Sequence, residues 1–231
     1  MAAMRRRHFC LVLSALILGL LSHTTLAAAQ TQSIPEKIEW TWADRPEHPD
    51  PSLLNVLLLG DSITRGYYPE TVRLLAGRAN CYLFATSASS GDPRLPEQIA
   101  AYADIAPTSF AVIHFNNGMH GWAYSEQQYS HALVSLISAI HQLSPNATLI
   151  WASTTPVANP VDAGATNPRI DERNRLALAL MQQQHIAIDD QHALMMNHQD
   201  AHNGDVHYTA AGSALQAQQA AQSILKLLPP K

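Results

Sequence analysis

Short apolar runs alternate with amphipathic stretches along most of this chain. Residues 53–59 read Leu-Leu-Asn-Val-Leu-Leu-Leu, a run of strand length that stops at Gly60. A continuous Leu/Val run bounded by turn residues suits a strand buried on both faces, as in a parallel sheet. Similar runs predict strands at residues 81–85, 110–115, 148–152 and 185–188. Helical signatures lie between them. Val72, Leu74 and Leu75 are set among charges with Gly77 as a stop, which predicts a helix over 69–77. Residues 95–102 read as a second helix. Leu133, Leu136, Ile137 and Ile140 recur at helical spacing over 125–143, and Ser144-Pro145-Asn146 ends that stretch. Residues 169–184 form a further helix and 193–196 a single turn. A closing helix over 209–228 has Thr209 as its cap.

Strands alternating with helices predict a parallel sheet covered by helices on both faces. No internal repeat and no second core interrupt the pattern, so residues 53–231 read as one domain. Residues 30–52 are polar and carry Pro35, Pro46, Pro49 and Pro51, which reads as an arm or linker that Trp40 and Trp42 pin in part to the body. The first residues have a different order. Arg5, Arg6 and Arg7 precede an apolar stretch over 9–21, and small residues end in Ala27-Ala28-Ala29. That is the order of a secretory signal peptide over 1–29, and it predicts a periplasmic or secreted protein. The apolar stretch is short for a spanning helix, so no stable membrane anchor is expected after cleavage.

Composition narrows the picture further. The 231 residues carry a formal net charge of −4 with a sequence pI near 6.3. No basic stripe is present to neutralise phosphates, which excludes nucleic acid as the main partner. After cleavage only Cys81 remains, so no internal disulfide can form. Its place at the start of a strand predicts a buried, inert thiol.

Candidate chemistry gathers at the strand ends. Ser62 follows the first strand by two residues, beyond the carboxyl end where ligands collect in open parallel sheets. A helix starting there would aim free N–H groups and its positive dipole end at developing negative charge. Taken alone, Gly60-Asp61-Ser62 reads as an ordinary strand-to-helix turn with a capping residue. Three further blocks change that reading: Ser90-Gly91-Asp92, Asn116-Asn117-Gly118 and Asp205-Val206-His207. The four blocks in this order on a βα framework resemble the GDSL-type, or SGNH, hydrolase family, over residues 53–228. Gly60-Asp61-Ser62-Ile63-Thr64-Arg65-Gly66 carries the closest match, and no Gly-x-Ser-x-Gly elbow surrounds Ser62.

The resemblance implies a three-layer α/β/α sandwich, flavodoxin-like, with a parallel sheet of about five strands. It implies an esterase, lipase, thioesterase or sugar deacetylase that needs no cofactor and no metal. Ser62 is then the nucleophile and His207 the base. The oxyanion is held by the N–H groups of Ser62 and Gly91 and by a side-chain amide, each such donor contributing roughly 3–4 kcal/mol. Two positions depart from the family pattern. Phe115-Asn116-Asn117-Gly118 stands where Gly-x-Asn-Asp is usual, so Asn117 takes the donor position and Asn116 is the alternative. The usual acid lies three residues before the histidine. Gly204 stands there, so Asp205 orients His207 from two residues away, or a backbone carbonyl or Asp200 does so instead.

Other polar residues have plainer readings. His198 and His202 have the i, i+4 spacing of metal ligands, but they fall in a polar loop leading to His207. His114 reads as a core residue, and His120 with Trp122 as pocket walls. Asp61 braces the turn. Arg65 and Arg169 pair with carboxylates, meet an anionic substrate group or serve a surface or structural role, and Asp189-Asp190 reads as a solvated strand end. The expected activity is an exported serine esterase acting on a small-molecule or carbohydrate ester, acetyl esters first. An acyltransferase with the same residues and a non-catalytic binding protein on the same fold are the rivals.

Overall fold

The central strand, β2 (Leu54–Gly60), is the apolar run that opened the sequence reading. The computed structural model describes residues 32–230, so the signal peptide expected over 1–29 lies outside the described residues. Around β2 the elements follow in order: β1 (Thr41–Asp44) before it, then α1 (Ser62–Leu74), β3 (Ala79–Thr86), α2 (Arg94–Ile105), β4 (Val112–Phe115), α3 (Glu126–Leu143), β5 (Thr148–Ala152), α4 (Asn167–Gln183), β6 (Ala187–Asp189), α5 (Gln191–Met196), β7 (His202–Asn203), β8 (His207–Tyr208) and α6 (Ala210–Leu225). The main sheet has the order β1-β3-β2-β4-β5-β6. Its last five members are parallel and take the flavodoxin-like order, second-first-third-fourth-fifth. β1 adds a sixth strand, antiparallel on the β3 edge, with Thr41 opposite Thr86 and Asp44 opposite Leu83.

The sheet separates two cores. Along β2, Val56 and Leu58 face one side, where they pack with Tyr67 of α1 and Ala217, Ala220 and Ile224 of α6. Leu57 and Leu59 face the other, with Leu95 and Ile99 of α2, Leu133 and Ile137 of α3, and Ala177 and Met181 of α4. These four β2 residues are essentially inaccessible to solvent. A strand buried on both faces has no polar alternation, which is why the run reads as continuous Leu and Val. Truncating any one of these leucines to alanine removes buried methyl groups and leaves a cavity, a loss of about 2–5 kcal/mol.

Helix starts follow local chemistry. The Asp61 carboxylate accepts the Ile63 N–H at 2.9 Å and caps α1. This corrects the sequence expectation of a helix beginning at residue 69: α1 begins at Ser62 and runs through Pro69. Proline removes the backbone bond to the Arg65 carbonyl, but both residues lie on the exposed side. α3 carries a capping box, with Ser125 and Gln128 satisfying each other's backbone N–H groups. The Thr209 side chain caps α6, as its sequence suggests. The arm over 30–52 is in part a strand, β1. Trp40 anchors it, its N–H donating to Ser87 Oγ while its carbonyl accepts the Ser87 N–H. Among the described residues no helix is long and apolar enough to cross a membrane.

Candidate active site

The turn after β2 sets the first half of the site. Gly60 leaves no room for a side chain, because a Cβ there would sit 2.1 Å from Thr64 Oγ1. Ser62 is the first residue of α1, so its N–H has no partner within the helix. The second half comes from the β7–β8 hairpin near the end of the chain. It places His207 Nε2 2.8 Å from Ser62 Oγ, across 145 residues of sequence. At that distance a neutral imidazole can take the hydroxyl proton.

The hairpin is held from below. Tyr208 OH donates to the Pro156 carbonyl at 3.0 Å, and the His202 ring stacks on Tyr208 with centroids 4.5 Å apart. His202 Nδ1 lies 3.3 Å from the His207 carbonyl oxygen. Burial lowers the pKa of His202, against the opposing effects of that contact and of the Asp205 charge. His202 braces the hairpin through that contact and its stacking on Tyr208. Asp205 sits in the hairpin turn, where its carboxylate accepts from Asn159 Nδ2 at 3.0 Å and its carbonyl from the Ala158 N–H at 2.8 Å. No hydrogen bond joins Asp205, Asp200 or another carboxylate to His207 among the described residues. The left-handed Gly204, φ +76°, occupies the position three before the histidine and makes the turn.

The other two blocks meet at the ends of β3 and β4. Asn117 is buried, and its Oδ1 accepts both the Ser90 N–H and the Ser90 hydroxyl, the latter at 2.7 Å. Those two donors fix the amide orientation. Its Nδ2 donates to the Ala88 carbonyl at 3.0 Å and retains a second N–H. Asn116 points elsewhere. Its Nδ2 donates to the Ala152 carbonyl at 2.7 Å, and it lines a small buried polar cavity with Thr64, Tyr67 and Gln216. Of the two asparagines, Asn117 shares its side of the site with Gly91. The Gly91 N–H has no partner among the described residues, and a Cβ at Gly91 would meet the Tyr124 ring at 2.7 Å. Blocks one and three thus lie on β2 and β4, the neighbours from which the parallel order grows in opposite directions.

Arg173, which holds the loop after β4, was missed in the sequence, whereas Arg169 pairs with a carboxylate as one of its expected readings had it. Arg173 of α4 is fully buried and donates to the carbonyls of Gly118, His120 and Gly121 at 2.8–3.0 Å, with its guanidinium 3.8 Å from the Trp122 ring centroid. Burial lowers its pKa to about 10, still charged at neutral pH. Arg169, one turn earlier, pairs with Glu126 at 2.6 Å and also donates to the carbonyls of Trp122 and Tyr124. Its place one turn after Arg169 on the same helix was the available signal for Arg173. Arg65 packs on Trp42, 4.9 Å from the ring centroid, and pairs with no carboxylate among the described residues. His114 is a core residue as expected, but Asp189 is not a solvated strand end. It is buried against His114 at 2.7 Å and accepts from Gln191 and Gln219, because β6 ends beneath α6. Asp190 caps α5 through Ala193 N–H. Cys81 is buried, and burial pushes its thiol up to about 12.

Comparison with known proteins bears on the family and the fold. The model of the GDSL-like Lipase/Acylhydrolase family matches residues 58–215. No curated protein matches the chain in sequence. Among solved structures, a member of the lipolytic protein G-D-S-L family from Veillonella parvula superposes with a TM-score of 0.59 at 19% identity, covering 74% of this chain and 97% of that one. A carbohydrate esterase family 3 protein from Talaromyces cellulolyticus gives 0.62 at 16%, covering 75% and 97%. An acetylxylan esterase from Geobacillus stearothermophilus gives 0.58 at 14%, covering 77% and 97%. At such identities the superpositions speak for the fold alone. The family model spans more than half of the chain and contains all four blocks, so this protein belongs to the GDSL-like lipase/acylhydrolase family.

Proposed function

We propose that the protein is an exported serine esterase that removes small acyl groups, acetyl first, from carbohydrate or other small alcohols. The observation that carries this reading is the 2.8 Å contact between Ser62 Oγ and His207 Nε2 at the first turn of α1. His207 takes the Ser62 proton as the oxygen attacks the ester carbonyl. The tetrahedral oxyanion is met by the N–H groups of Ser62 and Gly91 and by the free N–H of Asn117. Its collapse expels the alcohol, which takes the proton from His207, and leaves an acyl-enzyme on Ser62. Water, deprotonated by His207, then releases the acid and restores the serine. Asp205 serves the base at second hand, through the hairpin it ties to Asn159.

Carbohydrate esters are favoured by two of the superposed structures, a carbohydrate esterase and an acetylxylan esterase. Export rests on the charged, apolar and small-residue order of residues 1–29. The test is hydrolysis of p-nitrophenyl acetate and butyrate, then of acetylated xylo-oligosaccharides, by the mature protein and by Ser62→Ala. Turnover that disappears in the variant is expected, with acetate preferred over butyrate. Equal turnover in both proteins would remove Ser62 from the chemistry.

A further inference from the structure

Arg65 stands one turn after Ser62 on α1, and it is exposed. Residues three apart on a helix share a face, with Cβ atoms about 5–6 Å apart, and their side chains lean toward the helix N-terminus. The guanidinium lies over two tryptophans of the arm, 5.6 Å from the Trp40 ring centroid and 4.9 Å from that of Trp42. Both distances are within cation–π range. The sheet register places these rings beside the turn of the nucleophile. Trp42 pairs with Ala85 of β3, and Ala85 pairs with Gly60 of β2, so Trp42 is level with Gly60 at two strand spacings, about 10 Å. Trp40 lies two residues further along, where its carbonyl accepts the Ser87 N–H just beyond the carboxyl end of β3.

The cluster keeps free surface and free donors. Trp42 leaves 53% of its surface exposed, whereas Trp40 is half-buried against the core. Arg65 makes no side-chain hydrogen bond and no ion pair among the described residues. The carboxylates of the neighbouring elements are engaged elsewhere. Glu36 meets His120 and Gly121, Glu39 meets Ser87 and Arg94, and Asp61 caps α1 through Oδ1. A cation–π contact uses the charge of a guanidinium and leaves its N–H fork for an oxyanion. Two rings beneath it limit its rotamers, so the fork is held in place before anything binds. One guanidinium matches the single charge of a carboxylate. A phosphate dianion would need a second cation, and those at hand, His120 and Arg94, are held by Glu36 and by Asp92 with Glu39.

We propose that Arg65, with Trp42 beside it, is the subsite that selects the alcohol part of the ester, and that this alcohol is a sugar bearing a carboxylate. The Arg65 fork takes the carboxylate, and the exposed Trp42 ring covers an apolar face of the sugar. The acyl group then lies about one helical turn away, at Ser62. The formal net charge of −4 repels such a substrate at long range, so its selection depends on this local cation. Arg65 is a specificity-determining residue, and the inference rests on the proposed esterase activity.

The test compares singly acetylated methyl glucuronoside with the equally acetylated methyl glucoside, which differ only in a carboxylate against a hydroxymethyl group. Wild-type kcat/KM should favour the acidic ester by about tenfold, the low end for a charge-assisted bond because water reaches the site. Arg65→Gln should abolish that preference, mostly through KM, and Arg65→Lys should keep part of it. Added salt should shrink it in the wild type. Trp42→Ala should raise KM for both sugars, and an unmoved KM takes the ring out of the subsite. The NMR signal of the Trp42 indole N–H reads the subsite without turnover. In Ser62→Ala it should shift as unacetylated methyl glucuronoside is added, and the shift should be lost when Arg65→Gln is added to the variant. No acidic preference in an active enzyme, or a preference that survives Arg65→Gln, overturns the subsite and leaves a brace between the arm and α1. An Arg65-dependent preference for p-nitrophenyl succinate over p-nitrophenyl acetate, with none between the two sugars, moves the carboxylate to the acyl side and overturns the assignment. Wild-type protein that turns over no ester overturns the esterase reading alone. The indole signal then decides the subsite: an Arg65-dependent shift supports a site for acidic sugars, and no shift overturns it.

Discussion

Two histidines in this protein meet an oxygen at almost the same distance in opposite surroundings. His114 lies 2.7 Å from Asp189, with both side chains sealed from solvent. Asp189 is further held by Gln191 at 2.9 Å and Gln219 at 2.6 Å. His207 lies 2.8 Å from Ser62 and stands exposed on strands two residues long. The first pair lies in a buried network between β4, β6 and α6, in which His114 Nδ1 and Gln191 Oε1 have no partner among the described residues. The second pairs an exposed imidazole with a hydroxyl at a helix N-terminus, where developing negative charge is welcomed. On the proposed reading, burial and surroundings separate a structural histidine from a catalytic one here, since distance does not.

The sharpest way to break this contrast is to remove each pair's oxygen. Ser62→Ala should lower kcat by about 10⁴-fold or more, as for other hydroxyl nucleophiles served by a histidine, while the urea midpoint of unfolding stays put. Asp189→Ala should do the reverse. Leaving His114 without its buried partner should lower the unfolding free energy by about 3–5 kcal/mol, read by urea denaturation, with kcat per folded molecule unchanged. If Asp189→Ala instead removed activity without loss of stability, the two histidines would have been assigned the wrong way round.

A pH measurement sharpens the same contrast. Burial alone would raise the Asp189 carboxyl, but the hydrogen bond and charge of His114, with Gln191 and Gln219, hold it below the usual carboxylate value. A group depressed in the folded state stabilises at pH values above its unfolded pKa, near 3.9 for aspartate, and loses that contribution as pH falls through its folded value. The wild-type protein should therefore lose stability below about pH 4 more steeply than Asp189→Asn, monitored by circular dichroism during acid titration. The smallest expected effect is that of Asp205→Ala. With its carboxylate on Asn159 rather than on His207, its loss should slow turnover by about tenfold or less, far short of the roughly 10⁴-fold expected for a carboxylate that orients the base directly. A loss of that larger size would place Asp205 on the imidazole during the reaction.

The turn that presents Ser62 was legible in the sequence, and the hairpin that presents His207 was legible only in part. Gly60, Asp61 and Ser62 are adjacent, so a strand, a tight turn and a helix cap can be read from one short stretch. The parallel sheet was readable because strands buried on both faces write themselves as unbroken apolar runs. The hairpin bearing His207 left no such trace, since strands of two residues have no periodicity to detect. The Asp189–His114 pair joins residues 75 positions apart, and neither neighbourhood announces the other. β1 was read as linker because a four-residue edge strand with every residue exposed shows no alternation of burial. Arg173 went unnoticed because its partners are backbone carbonyls, which any sequence would supply.

The central claim is that Ser62 and His207 form one acyl-transfer unit. Fluorophosphonate labelling followed by intact-mass and peptide analysis tests it most directly, comparing the mature wild-type protein with His207→Ala. One adduct per chain is expected, on Ser62, formed at least about 10³-fold more slowly in the variant because the hydroxyl then lacks its base. An adduct on another residue, or labelling of Ser62 at equal rates in both proteins, would contradict it.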